Sequence, residues 1–273
     1  MKTLLSLCVG LALLLPGSRV YSADAKVELQ DLVGKIRAKL SAGHSTEQDL
    51  APELTDFDTL LAEHKGEKTD EVADILFMRA MLYAQICKDF PKATADLQQL
   101  KAGFPDTADA KKADPVLASF GKMEAAKKIQ DGLAVGMAFP DFQVQDLDGK
   151  PLSVAGDKGK IVLIDFWATW CGPCVHELPN VLKVYQADHD KGFDVIGVSL
   201  DSEKDKLTSF IKEKGMTWPQ YFDGKGWENE ISTKYGIVSI PATFLIGKDG
   251  KIIGKDLRGD ALDTAVTTAL AAR

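Results

Sequence analysis

Cysteine is scarce in this chain, four among 273 residues. A small exported scaffold stapled by disulfides would carry an even and denser set. Histidine is equally rare, with four copies, so a zinc site built on clustered Cys and His has little to draw on. Basic charge is also short. Lys and Arg number 33 against 40 Asp and Glu, a net −7, and that balance argues against binding a phosphate backbone, which needs clustered cations. Long apolar runs are missing too. The conspicuous one, LLSLCVGLALLL from Leu4 to Leu15, has 12 residues and ends at Pro16, well short of the ~20 a membrane span needs. What remains is a chain 45% apolar and 27% charged, able to pack a core and long enough for one large domain or two ordinary ones.

Lys2 followed by that run has the form of a secretory signal core. ADA at residues 23–25 offers small residues for processing, so residues 1–25 are expected to leave, with cleavage near residues 22–25. An uncleaved anchor is the alternative. A lipoprotein is disfavoured because Cys8 lies inside the run behind bulky Leu7. Without Cys8, three cysteines remain: Cys87, Cys171 and Cys174.

From Val27 to about Asp131 the apolar residues follow a helical period. Leu29, Leu32, Val33, Ile36 and Leu40 share one face, as do Leu50, Leu54, Phe57, Leu60 and Leu61. Val72, Leu76, Ala80, Tyr83 and Cys87 form a third stripe, on which Cys87 reads as a small buried hydrophobe. Pro91 opens a further helix, AGFPD near Gly103 closes it, and a last helix is expected over residues 115–130. Paired helices of this kind resemble a tetratricopeptide-like array, without a clean 34-residue repeat. Past Gly132 the period changes. AFPDFQVQDLDGKPLSV reads as a hairpin, GKIVLIDFWA and FDVIGVSL as buried strands, and ATFLIG with KIIGKDL as an antiparallel pair. Helices are expected between and after them, including DALDTAVTTALAA at the end. The expectation is therefore a helical domain over 26–131 and an α/β domain over 132–273, with a mixed sheet flanked by helices.

FWATWCGPCVHELP, from Phe166 to Pro179, sets two of the three cysteines one helical turn apart, just after an apolar strand. Zinc would need further soft ligands. His176 and His189 are 13 residues apart on one expected helix, roughly 20 Å along its axis, and cannot close a site with the cysteines. A structural staple gains little across so short a loop, because the constraint grows with loop length. Redox chemistry fits the pattern directly. Cys171 falls at the mouth of a helix, where unpaired amides and the helix dipole favour a thiolate. Pro173 suits the first turn, where its missing N–H costs nothing. Cys174, one turn inside, is placed to resolve a mixed disulfide.

Residues 160–179, KIVLIDFWATWCGPCVHELP, resemble the active-site segment of the thioredoxin superfamily and, within it, the exported TlpA/ResA-like thiol–disulfide oxidoreductases. FPDFQVQDLDGKPLSV, VSLDSEKDKLTSFIKEKGMTWPQYFD and GIVSIPATFLIGKDGKIIG extend the likeness over about residues 135–273. The resemblance implies a thioredoxin fold with Cys171 as nucleophile and Cys174 as resolving thiol. Asp165 is implied as a buried carboxylate that helps move the proton of Cys174, with Glu177 as a second carboxylate that accepts a proton or tunes the pair. Trp170, Gly172 and Pro173 complete the motif, and Ile240 with a cis Pro241 would offer a backbone edge to substrate. One departure stands out: thioredoxins often hold a lysine near the buried aspartate, and VIGVSLD carries none.

The same likeness implies reduction of disulfides in exported proteins in the bacterial periplasm or at the extracytoplasmic face, for example apocytochrome c during cytochrome c maturation. Electrons would come from a membrane donor of the DsbD/CcdA type. No cofactor is expected beyond the Cys171–Cys174 disulfide, and no metal or nucleic acid. The Gly-Pro dipeptide resembles that of reducing thioredoxins, whose potential is ~−270 mV against ~−120 mV for the oxidant DsbA. Two other readings compete. In a thiol peroxidase related to peroxiredoxins the threonine would usually lie three residues before the cysteine, whereas Thr169 lies two before Cys171. In a redox-tethered adaptor, the helical domain would bind a partner.

Overall fold

The computed structural model describes residues 22–272, so the leader expected over 1–25 lies outside it except for its last four positions. Packing divides the chain into two units, ending and beginning at Phe120 and Gly121.

The first unit is helical: α1 (Ser22–Ser41), α2 (Ala51–Glu63), α3 (Asp70–Leu82), α4 (Phe90–Gly103) and the start of α5 (Ala108–Asp131). Local chemistry sets these ends. Thr69 caps α3 by accepting from the Val72 amide, and Asp89 caps α4 by accepting from the Lys92 amide. Leu29, Leu32 and Ile36 of α1 and Leu54, Phe57 and Leu60 of α2 are buried, as their spacing requires. The third stripe holds only in part. Val72, Leu76 and Ala80 are buried, whereas Tyr83 and Cys87 are half-exposed. The cause is a π-helical turn over Tyr83–Cys87, ended by Lys88 in the left-handed region. The wider turn rotates the stripe away from the core, so Cys87 is a half-buried free thiol rather than a core residue. The last helix also starts seven residues before Pro115, because Thr107 accepts from the Ala110 amide and opens it there.

Arg79 and Asp96 form a buried ion pair in this unit. Arg79 donates from Nε and Nη2 to the two oxygens of Asp96, at 2.9 and 2.7 Å, and both residues are buried. The Asp58 carboxylate also accepts from Arg79 but is mostly exposed and adds little. Arg79→Met should leave Asp96 buried without its partner and cost about 3–5 kcal/mol, read as lost helical ellipticity in urea. Adding Asp96→Leu should recover much of that loss. A single variant as stable as wild type would contradict this assignment.

The second unit contains β1 (Val144–Gln145), β2 (Pro151–Leu152), β3 (Ile161–Trp167), α6 (Gly172–Asp188), β4 (Phe193–Ser199), α7 (Lys204–Lys214), β5 (Gln220–Tyr221), α8 (Glu230–Lys234), β6 (Ala242–Ile246), β7 (Ile252–Lys255) and α9 (Asp260–Ala271). β1 and β2 form a small hairpin. The other strands make one sheet ordered β5-β4-β3-β6-β7, parallel on the β4 side of β3 and antiparallel on the β6 side. β3 is central and buried on both faces, which is why IVLIDFW reads as a continuous apolar run. Phe166 meets Tyr235 and Phe244, and its neighbour Trp167, pointing the other way, meets Phe210 of α7. This mixed sheet with covering helices is the fold class expected from the sequence. β5 escaped the sequence reading because two residues in PQYFD carry no period.

The end of α5 belongs to this unit, which begins before the change of period past Gly132. Gln130 donates to the Tyr235 carbonyl at 2.6 Å and accepts from Lys255 at 2.8 Å. These polar ties have no periodic signature.

Candidate active site

β3 ends at Trp167 and the chain turns through residues 168–171 into α6. Cys171 is the N-cap of α6, and its Sγ accepts from the Cys174 amide at 3.2 Å. A charge on that sulfur would meet the open amides and positive end of the helix. Cys171 and Cys174 are joined in a disulfide, so the molecule is in its oxidised form. In this form Cys171 is 5% exposed and Cys174 6%, while Trp170, Gly172 and Pro173 beside Cys171 are exposed. What separates the two sulfurs is their surroundings rather than their exposure.

Cys174 faces inward. It lines a cleft of about 10 Å³ together with Asp165, Glu177, Pro241, Thr243 and Arg258, a space about the size of one water. Asp165 sits in the middle of β3, paired with Gly197 on one side and Thr243 on the other. It keeps a narrow exposed edge. Burial pushes its carboxyl up to about 7, opposed by the Arg258 guanidinium and aided by the charge of Glu177. Glu177 is fixed by its Oε1, which accepts from Asn180 Nδ2 and from the Gly259 amide, both at 2.8 Å. The Ile240–Pro241 peptide is cis, and Pro241 borders the same cleft. The structure thus brings Cys171, Cys174, Asp165, Glu177 and Pro241 together, with Trp170, Gly172 and Pro173 on the exposed rim.

The lysine missing from VIGVSLD has a structural explanation. Gly197 stands opposite Asp165, and any side chain there would run into Gln220, which accepts from the Trp167 indole at 3.0 Å. The positive charge comes instead from Arg258, which follows β7 and donates to Thr243 Oγ1 at 2.9 Å and to the Leu257 carbonyl at 2.7 Å. Sequence reading missed Arg258, although LRGD before the last helix was available as a signal.

Asp201 was missed as well. This buried carboxylate accepts from the Thr169 amide at 3.1 Å, the Thr169 hydroxyl at 2.5 Å and the Ser199 hydroxyl at 2.8 Å. It holds the loop that leads into Cys171. An aspartate ending an apolar strand was its only trace in the sequence.

Two cysteines on a strand-to-helix turn with a near-neutral carboxylate behind them suit thiol–disulfide exchange, and the matching family and curated relatives agree. Residues 134–270 match the Redoxin family. The chain belongs to that family. ResA, a thiol-disulfide oxidoreductase of Bacillus thuringiensis subsp. konkukian, is 34% identical over 131 residues, covering 48% of this chain and 73% of ResA. The Bacillus subtilis ResA is 29% identical over 124 residues, covering 45% of this chain and 68% of its own. Among solved structures, the thioredoxin domain of a Bacteroides vulgatus thiol-disulfide oxidoreductase is 38% identical and covers 50% of this chain and 97% of its own, with a TM-score of 0.46. This Redoxin-family chain is a ResA-like thiol–disulfide oxidoreductase, with its redox pair at Cys171 and Cys174.

Proposed function

We propose that this oxidoreductase reduces disulfides of exported proteins, apocytochrome c being the substrate the ResA likeness suggests. The observation that carries the reading is the asymmetry of the pair: one sulfur caps a helix among exposed residues, the other faces a carboxylate cleft. In the reduced form the Cys171 thiolate attacks one sulfur of a substrate disulfide. That S–S bond breaks, the leaving thiolate takes a proton, and Cys171 is joined to the substrate. Cys174 then gives its proton to Asp165 across the cleft, with Glu177 tuning the carboxylate, and attacks Cys171 Sγ. The second substrate thiolate leaves, and the disulfide seen here is the product. Two electrons must return from an outside dithiol, for which a membrane donor of the DsbD/CcdA type is the fitting class. The backbone edge at Ile240, beside the cis Pro241, suits pairing with an extended substrate segment.

Export rests on the leader read in residues 1–25, and with it placement in the periplasm or at the extracytoplasmic face. Residues 26–131 form the helical part in this reading, and residues 132–273 the thioredoxin-like domain. The test is a trap. Cys174→Ala should stay covalently joined to its targets, and mixed disulfides recovered from an exported fraction should contain proteins with paired cysteines. An empty trap would overturn the two-cysteine route, and capture of cytoplasmic proteins alone would overturn the location.

A further inference from the structure

Large aromatic side chains at a surface are costly unless something covers them, and two meet here, one of them Trp170, the residue before Cys171. Trp170 is 54% exposed and Trp227 is 47% exposed. Their ring centroids are 5.9 Å apart and their planes inclined by 55°. Trp227 comes from GKGWENE, between β5 and α8, some 56 residues beyond Cys171.

Both indoles are carried on backbone held from below by buried polar groups. Asp201 holds Thr169, the residue before Trp170, through the bonds already described. On the other side Asn229, fully buried, donates to Asp223 Oδ1 at 3.1 Å and to the Ser199 carbonyl at 3.4 Å. Asp223 accepts in turn from the amides of Lys225 and Glu230, at 3.0 and 2.9 Å, which bracket Trp227. The two networks meet at Ser199, the last residue of β4: its hydroxyl bonds Asp201 and its carbonyl receives Asn229. Burying such groups is unfavourable unless every bond is made. A fold that sets two such networks under two exposed indoles fixes the spacing of those indoles, which lowers the ordering cost of binding.

We propose that Trp170 and Trp227 form a recognition platform for an aromatic side chain next to the cysteine of a disulfide-bearing substrate polypeptide. The occupant follows from continuity with the reacting sulfur. A segment whose disulfide reaches Cys171 comes alongside Trp170, the residue before it in the chain, and Trp227 packs against that indole. Val238, 53% exposed just before the Ser239–Ile240 edge, is a further exposed apolar side chain in this unit. Aromatic rings prefer inclined or offset partners, and the open edge of this tilted pair accepts a third ring. The proposal deepens the disulfide-reductase reading and rests on it.

The test uses the full chain, reduced beforehand, in single-turnover mixing with three synthetic peptides. Each carries one intramolecular disulfide, and they differ only in the residue before the first cysteine: Phe, Gly or Arg. Wild type should reduce the Phe peptide about tenfold faster than the Gly peptide, the preference one good aromatic contact supplies. Trp227→Ala should bring the Phe and Gly rates within about twofold of each other, and Trp227→Phe should keep most of the preference. Equal rates in wild type, or a preference that survives Trp227→Ala, would overturn the proposal. So would faster reduction of the Arg peptide, which would mark a cation-binding platform instead. If wild type reduces none of the three peptides, the reductase reading itself fails, and that result is distinct from a missing preference.

Discussion

Cys171→Ser is expected to reduce disulfide turnover by about three orders of magnitude or more, to the level of uncatalysed exchange, while the protein stays folded. A serine can still cap α6, since its oxygen can accept from the Cys174 amide as the sulfur does now. Its hydroxyl does not ionise near neutral pH, and no stable bond to a substrate sulfur can form. The trap described above is the control that gives this result meaning. Cys174→Ala should perform the first attack and stop, giving one equivalent of mixed disulfide, whereas the double variant should give none. The two sulfurs are about equally buried, so accessibility alone predicts no such asymmetry. It follows from the helix mouth at one sulfur and the carboxylate cleft at the other. Equal trapping by either single variant, followed by mass spectrometry of the adducts, would show that the roles are not divided in this way.

How much of this was legible in the sequence depended on what kind of signal each part carried. The strand before the cysteines was legible because burial on both faces leaves an unbroken apolar run, Ile161 to Trp167 with one carboxylate in it. The cysteine pair was legible because its spacing and Pro173 are local. Asp165 was legible through the family resemblance, and the structure places it beside Cys174. What stayed hidden is held by contacts distant along the chain. Arg258 reaches Asp165 across 93 positions and Asn229 reaches Ser199 across 30, and neither falls on a period. The π-turn at Tyr83–Cys87 was hidden for another reason, since one extra residue in a turn changes the face of a helix while barely changing its composition.

The second large effect concerns Asp165, and its sign can be worked out. An unfolded aspartate titrates near 3.9, and in the folded disulfide form burial raises the group to about 7. Between those values the folded chain binds more protons than the unfolded one, so stability falls as pH rises through that window. Asp165→Asn removes the group, and the variant should be more stable than wild type at pH 8 by an amount on the order of 4 kcal/mol, with little difference at pH 4. Activity should move the opposite way. A carboxylate titrating near neutrality is suited to take the Cys174 proton, so the release step of wild type should rise with pH through an inflection near 7. The Asn variant should lose the inflection and about tenfold to a hundredfold of that rate at neutral pH. The two neighbours should then move the inflection in opposite directions. Arg258 favours the charged form of Asp165 and Glu177 disfavours it, so Arg258→Met should shift the inflection up and Glu177→Gln should shift it down. A variant that merely loosened the cleft would be slower at every pH, whereas Arg258→Met should recover its rate as the pH is raised. If all three variants kept the wild-type inflection, Asp165 would not be the group that receives the proton.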